Sequence, residues 1–333
     1  MVFSGDHDEF QRLTDPFNHE LLVHCYRILG SFEDAEDALQ EALLRAWRRL
    51  DSLKAAASLR AWLYKIATNV SLDMLDYRKA RSLPSLTHAP TDFQGVLPPP
   101  ITEPLWLEPL SDFYLDGHTL TPEAHYEIHE SVSLAFLMTL QKLPGRQRVI
   151  LILRDVLDWR AQEVADLLDL TVVAVNSALQ RARLTMKSYR QENQWRLVTP
   201  DNDQHISELL ARYVTAWETA DSAGLIALLR EDAALTMPPI PAWFLGRKAI
   251  HSFVQQFIFA GQSPVSYRLL PTRANGCPAF AVYQCDAAGV YRPSALQILS
   301  ISGDSIARID DFLTFDERLF ERFGLPAEPN MNT

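Results

Sequence analysis

Apolar residues recur at a spacing of three and four along much of the first two hundred positions and then give way to short β-rich runs. Leu21, Leu22, Cys25, Tyr26 and Leu29 form one stripe, interrupted at Gly30 and Ser31. FEDAEDALQEALLRAWRRL starts a second helix, with Asp and Glu in its first turns and Ala38, Leu39, Ala42, Leu43 and Trp47 available to a core. A third, SLRAWLYKIATNVSLDMLDYRKAR, is apolar through Leu59, Trp62, Leu63, Ile66, Val70, Leu72 and Leu75 and ends in bases. Asp158 to Arg190 predicts a helix-turn-helix. Val164, Ala165, Leu167 and Leu168 mark its first helix, Asp169 and Leu170 a tight corner, and Thr171 the cap of the second helix. Val172, Val175, Leu179, Ala182 and Met186 then point inward, leaving Asn176, Ser177, Gln180, Arg181 and Arg183 on other faces.

After a polar break at 199–204 the chain changes character. ISELLARYVTAWETAD predicts an amphipathic helix through Ile206, Leu209, Leu210, Tyr213, Val214 and Trp217. A short helix, a strand near 233–237 and a helix after Gly246 follow. Strands at 265–273, 279–285, 295–301 and 306–315 are separated by the turn signals ANG and SGD. Between the helical blocks, Leu83 to Pro122 holds eight prolines and no sustained periodicity, which predicts an extended linker. Its later half is acidic (Glu103, Glu108, Asp112, Asp116), with Trp106, Phe113 and Tyr114 as anchors.

At 333 residues the chain has room for two or three compact units. No apolar run approaches the ~20 residues of a membrane-spanning helix, and the acidic start lacks a secretory pattern, so a cytoplasmic protein without membrane association is expected. Cys25, Cys277 and Cys285 make no disulfide framework and read as plain thiols; no metal, cofactor or catalytic site is expected. The net charge of −11 argues against nucleic acid until its distribution is considered. Met1 to Leu44 carries ten acids and two bases, whereas Arg45 to Arg81 carries nine bases against Asp51, Asp73 and Asp76. Beyond roughly 8 Å salt screens charges from one another, so local fields decide.

Two chemistries suit these surfaces. Arg grips guanine bidentately, Asn or Gln grips adenine, and a small Ser lets a helix approach the groove floor. On the helix-turn-helix stretch alone, a DNA reader and an ordinary helical hairpin with a solvated basic face are equally good readings. Trp62, Tyr64, Lys65, Asn69, Tyr77, Arg78, Lys79 and Arg81 interleave aromatics with bases, as single-strand binders do, or as core aromatics beside a cationic helix end would. From charge alone, the acidic helix start is best read as a solvated first turn.

Three blocks in order, DAEDALQEALLRAWR, LRAWLYKIATNVSLDMLDYRKAR and LPGRQRVILILRDVLDWRAQEVADLLDLTVVAVNSALQRAR, resemble bacterial extracytoplasmic-function sigma factors of the sigma-70 family. The resemblance implies two all-α sigma domains, 8–82 and 129–192, joined by the linker 83–128. Asp34, Asp37, Gln40 and Glu41 would then dock on the beta-prime clamp of core RNA polymerase, with the beta flap as a further contact. Asn69 would capture a flipped base of the promoter −10 element, with Arg78, Lys79 and Arg81 on the DNA backbone. Thr171, Asn176, Ser177, Gln180, Arg181 and Arg183 would serve the −35 element, Arg183 through phosphate. Asp169 stands where the family turn usually has Gly, and Asn176 and Ala178 where many relatives carry Arg or Lys, which leaves the −35 preference open. The acidic linker would thread toward the polymerase cleft.

Residues 203–325, with DAALTMPPIPAWFLGRKAI in their middle, resemble a SnoaL-like α+β cone domain, as in the SigG-like subgroup of these sigma factors. Trp217, Met237, Trp243 and Tyr283 are the candidates to line its pocket, with a small-molecule ligand as the partner there. The resemblance implies regulation of the sigma domains in cis. The rival readings are a fused isomerase or cyclase using Asp310, Asp311 or His251, and a repressor that binds DNA without polymerase.

Overall fold

A computed structural model describes residues 7–50, 53, 59–77, 81–93, 95–101, 106–115, 129–193, 204–260, 267–314 and 318–329. The chain divides into two compact units, Met1–Arg81 with Leu107–Leu110 and Tyr114–Trp195, and Ser82–Trp106 with Ser111–Phe113 and Arg196–Thr333.

Among its described residues, the regular structure of the first unit is helical. Helices α1 (His7–Leu29), α2 (Phe32–Arg48) and α3 (Leu59–Tyr77) pack on one another, and α4 (Leu134–Leu140), α5 (Gly145–Leu151), α6 (Ala161–Leu168) and α7 (Val172–Asn193) complete it. The predicted break between the first two helices has a steric cause. Gly30 has φ 73°, and a Cβ there would lie 2.6 Å from the Leu107 side chain, so any other residue would be strained and would displace Leu107. Ser31 then caps α2 by accepting the Asp34 N–H at 3.1 Å.

Both helical blocks belong to this one unit. Arg148 of α5, fully enclosed, donates to the carbonyls of Leu140, Gln141 and Leu143 at 2.9, 3.2 and 3.2 Å, to the Gln141 side chain at 2.9 Å, and to the carbonyl of Ile28 at the end of α1. A buried guanidinium is tolerated because its donors are matched to orphan helix-end carbonyls. Arg27 donates to Ser131 at 2.7 Å, and the rings of Tyr64 and Trp159 lie 5.2 Å apart.

The second unit is a six-stranded sheet in the order β2-β1-β6-β5-β4-β3: β1 (Leu229–Thr236), β2 (Trp243–Leu245), β3 (Tyr267–Ala274), β4 (Cys277–Cys285), β5 (Tyr291–Ser302) and β6 (Ser305–Leu313). Only β1 and β6 pair in parallel; the other neighbours are antiparallel. Helices α8 (Gln204–Glu218), α9 (Ser222–Ala227) and α10 (Arg247–Phe253) are followed at the chain's end by α11 (Arg318–Arg322). Ile206, Leu209, Tyr213 and Trp217 of α8 join Leu235, Leu269, Phe280, Val282, Leu299 and Ile309 of the sheet in the main core. The other face is also covered: Phe320 of α11 packs edge-on to Tyr283 at 5.1 Å, and the Tyr283 hydroxyl donates to the Pro326 carbonyl at 2.7 Å.

The proline-rich stretch expected as an extended, threading linker is built into this unit over the described residues of 82–101. Thr91 N–H donates to the Trp243 carbonyl at 2.7 Å, Trp243 N–H returns a bond to the Thr91 hydroxyl at 3.2 Å, and the Trp243 indole donates to the His88 carbonyl at 2.8 Å. Ile101 N–H donates to Pro239 at 2.9 Å, and Trp106 donates to the same carbonyl at 3.2 Å. Prolines leave few N–H groups to satisfy, and the edge strand β2 and the loop before it supply acceptors for these. Phe93 adds edge-to-face contacts to Phe244, Phe253 and Phe257. Farther on, Asp112 accepts from Gly276 N–H at 2.8 Å and pairs with Arg273 at 3.2 Å. The expectations placed on Glu103 and Asp116 lie outside the described residues.

Candidate nucleic-acid interface

The corner between α6 and α7 forms as the sequence predicts. Asp169 ends α6 in the left-handed region (φ 54°, ψ 47°), and Leu170 N–H reaches back to the Ala165 carbonyl at 2.9 Å. Thr171 caps α7 by accepting Ala174 N–H at 3.1 Å, so its hydroxyl serves the helix first. The Asp169 carboxylate accepts from Lys65 of α3 at 2.9 Å, and the same ammonium reaches the Asp166 carbonyl at 3.1 Å. This pairing gives the departure from glycine a local purpose.

Val175, Leu179, Ala182 and Met186 are buried, which turns Asn176, Ser177, Gln180 and Arg181 outward together. Two apolar residues share that face and escaped the sequence reading: Val173 is 74% and Leu184 63% exposed. Their spacing from Asn176, Ser177 and Gln180 is the signal that could have found them, since thymine methyls call for apolar contacts on a recognition helix. Arg183 differs from its neighbours. It forms a two-bond pair with Asp155, at 2.9 and 2.6 Å, which holds its charge and raises its pKa above the ordinary value.

On α2, Asp37 and Gln40 are exposed, and Leu44, one turn on, is exposed as well. Glu41 is half-buried and pairs with Arg45 at 2.7 Å, which also holds Asp73 at 3.0 Å. Asp34 and Arg81 were expected on two different partners and meet each other instead. Arg81 is 7% and Asp34 4% exposed, with their closest atoms 2.6 Å apart and Glu108 a further 3.3 Å from the guanidinium. Burial lowers the Arg81 pKa, with Glu108 and Glu33 opposing. Neither side chain is presented to an outside partner in this arrangement, because folding brings the end of the basic run over the first turn of α2. Asn69 is exposed on α3; Arg78 and Lys79 lie outside the described residues.

A cavity of about 840 Å³ opens elsewhere on the helical unit, with Phe136, Leu151, Val156 and Met186 as its apolar walls and Glu130, Asp155, Asp158, Arg183 and Lys187 at its polar edges. Its lining thus mixes apolar with charged side chains.

In the second unit the four candidate lining residues do not share one pocket. Trp217 and Met237 are in the main core, Trp243 is committed to the segment at His88 and Thr91, and Tyr283 is on the opposite face of the sheet with Phe320. The period of two along β4 separates Tyr283 from its neighbour Val282. The same alternation parts the two aspartates of β6. Asp310 is paired with Arg308 at 2.6 and 2.7 Å and accepts from Thr236 at 2.7 Å. Asp311 lies across from Gln297 on the α8 side, and burial pushes its carboxyl up to about 7, opposed by a hydrogen bond from Gln297. His251 is half-buried on α10.

Comparison with known proteins covers both units. Residues 18–81 match the model of Sigma-70 region 2, residues 133–186 that of Sigma-70, region 4, and residues 210–312 that of the SnoaL-like domain. The chain is 42% identical over 319 residues to the ECF RNA polymerase sigma factor SigG of Mycobacterium tuberculosis, an alignment covering 96% of this chain and 84% of the relative. It is 28% identical over 190 residues to the ECF RNA polymerase sigma factor SigW of Bacillus subtilis, covering 56% of this chain and 91% of that one. In fold it is similar to the crystal structure of the Mycobacterium tuberculosis extracytoplasmic function sigma factor SigJ, with a TM-score of 0.57 at 21% identity, over 97% of this chain and all of the other.

Proposed function

The chain belongs to the extracytoplasmic-function RNA polymerase sigma factors, and from that premise we propose that it brings core RNA polymerase to a set of promoters under control of its own SnoaL-like unit. The outward face of α7 reads the −35 element through Asn176, Ser177, Gln180 and Arg181, with Val173 and Leu184 as apolar contacts. Asn69 on α3 serves the −10 element. Asp37, Gln40 and Leu44 dock α2 on the polymerase clamp, and the groove at Phe136 and Met186 accepts an apolar element of the flap. Such a protein works in the cytoplasm, where promoter and polymerase are, and its sigma domains position other molecules rather than catalyse.

Control in cis rests on one observation: residues 82–101, part of the chain between the two sigma regions, are held by the C-terminal unit through Thr91, Phe93 and Ile101. A linker bound there is not free to extend into the polymerase, so the strength of this docking sets how readily the sigma regions take their places. A ligand of the C-terminal unit acts only by preferring one docking state.

The test is transcription in vitro. Purified full-length chain with core polymerase is expected to start transcripts at promoters selected from a genomic library. Absence of initiation at every promoter, with binding of duplex DNA that ignores polymerase, would make it a repressor. Trp243→Ala, which removes the indole bond to His88, is expected to change output from a fixed promoter; unchanged output would remove the cis reading and leave the sigma assignment standing.

A further inference from the structure

Residues of both matched sigma regions bury one another inside the helical unit. Tyr64 of α3 is 1% and Trp159, just before α6, is 8% exposed, with their rings 5.2 Å apart. Leu72 and Leu75 of α3 lie so close to the start of α5 that a Cβ on Gly145 would come within 3.2 Å of each. Beside these contacts Lys65 of α3 lies on the C-terminal end of α6, donating to the Asp166 carbonyl at 3.1 Å and to the Asp169 carboxylate at 2.9 Å.

Distance makes this closed arrangement incompatible with reading both promoter elements at once. The −35 and −10 elements are about 25 base pairs apart, roughly 85 Å of duplex at about 3.4 Å per pair. Asn69 is one turn from Lys65 on α3, and Asn176 is two turns beyond Asp169, so the Lys65–Asp169 pair keeps the two reading faces within about 30 Å of each other. The helical unit therefore has to open, with α3 leaving α6, before both elements are occupied.

A cost buried in the same unit favours that opening. Arg27, 3% exposed, has Ser131 as its one side-chain hydrogen-bond partner among the described residues, and its Nε is unpartnered. Burial lowers its pKa to about 10. A buried cation without a counter-charge is disfavoured, and separation of the two helical blocks removes Ser131 and admits solvent to it.

The Lys65 pair has the character of a part that yields. Its Asp169 end is 81% exposed, so water screens it, and it contributes little next to the buried contacts. Asp169 nevertheless holds a left-handed backbone, φ 54°, that glycine adopts more easily. On α3 the ammonium shares a face with Asn69, the −10 contact proposed above, where a phosphate of the same strand would lie. In the closed unit two oxygens take that place, one anionic and one at the negative end of a helix.

We propose that the closed helical unit is a self-masked form of the promoter reader, and that Asp169 stands on Lys65 in place of a promoter phosphate. DNA at the −10 element then competes with Asp169 for one ammonium, and loss of the tie to α6 frees the helix-turn-helix to reach the −35 element. This rests on the reading of the chain as a promoter-specificity subunit.

The experiment treats the full-length chain with a zero-length carbodiimide, which joins an ammonium to a carboxylate in contact with it. The Lys65–Asp169 amide is sought by mass spectrometry of peptides, in the chain alone and in its complex with core polymerase on a promoter selected from a genomic library. The amide is expected in the free chain and is expected to be lost in the promoter complex. Asp169→Gly, which keeps the left-handed corner, is expected to raise promoter affinity about two- to fivefold, the effect of losing an exposed ion pair. Lys65→Ala removes the phosphate contact along with the tie, so affinity is expected to fall and the slope of log affinity against log salt to flatten by about one. An amide that persists in a complex that initiates transcripts, or affinity unaltered by Asp169→Gly, overturns the phosphate mimicry. Equal rises for Lys65→Ala and Asp169→Gly overturn the competition for the ammonium. No amide in a free chain that does initiate overturns the closed form itself, whereas absence of initiation at every promoter removes the promoter reading and this proposal with it.

Discussion

Replacing Phe93 by Ala isolates the docking of the linker on the C-terminal unit. The ring meets Phe253, Phe257 and Phe244 at centroid distances of 5.2, 5.8 and 6.3 Å, all near perpendicular, and is itself half-buried. A fully buried Phe→Ala costs about 3–5 kcal/mol; half-burial with three edge contacts puts this one at about 2 kcal/mol. At about 1.4 kcal/mol per decade that is a roughly 30-fold rise in the fraction of molecules with the segment undocked. Two backbone N–H groups report it directly, Thr91 bonded to Trp243 and Ile101 bonded to Pro239. Amide hydrogen exchange at both is expected to accelerate about 30-fold, with exchange in α1 to α3 unchanged. Acceleration spread evenly over β1 and β6 would mean that the whole unit has weakened. Unaltered exchange at Thr91 and Ile101 would mean that Phe93 does not hold the segment, and either outcome refutes the argument.

Three other perturbations follow from the geometry. Arg181→Ala is expected to cost about 1–3 kcal/mol in promoter affinity and to relax preference at one base pair, read by binding to a set of single-base variants; equal losses on all of them would remove Arg181 from the readers. Asp155→Asn releases Arg183 from its two-bond pair, so promoter affinity is expected to rise and the slope of log affinity against log salt to steepen by about one; an unchanged slope would show that Arg183 reaches no phosphate. The two units are expected to respond oppositely to pH. Burial lowers the His24 pKa from 6.5 to about 3, so the unfolded chain takes up a proton that the native unit refuses, and the helical unit loses stability as pH falls through that window. The Asp311 carboxyl rises from 3.8 to about 7, so the native unit keeps a proton that the unfolded chain releases, and the C-terminal unit loses stability as pH rises from 3.8 to about 7. Urea unfolding followed by probes in each unit checks both; Asp311→Asn is expected to flatten only the second slope.

The helices and their corners were legible because each is a local matter. A stripe at three-and-four spacing needs only one buried face, and Ser31, Asp169 and Thr171 satisfy or shape the backbone within a few residues of themselves. The outward face of α7 followed from the same arithmetic, since burying Val175, Leu179 and Ala182 leaves no other side for Asn176, Ser177, Gln180 and Arg181. Val173 and Leu184 were missed because a rule that assigns apolar residues to the core has no term for an apolar residue on an exposed helix face.

Partners remote in the chain could not be read from it. Asp34 and Arg81 each looked like a surface charge with an outside partner; they are 47 residues apart and meet only because α2 and the end of the basic run fold together. Trp243 and Tyr283 looked alike as aromatic candidates to line one pocket, yet one holds the proline-rich segment and the other packs under α11. Periodicity reports that a face is buried and is silent about what buries it. Which side of the sheet receives 82–101, and which aspartate of β6 finds an arginine, depend on side chains that approach from other elements, so they exist as properties of the folded chain alone.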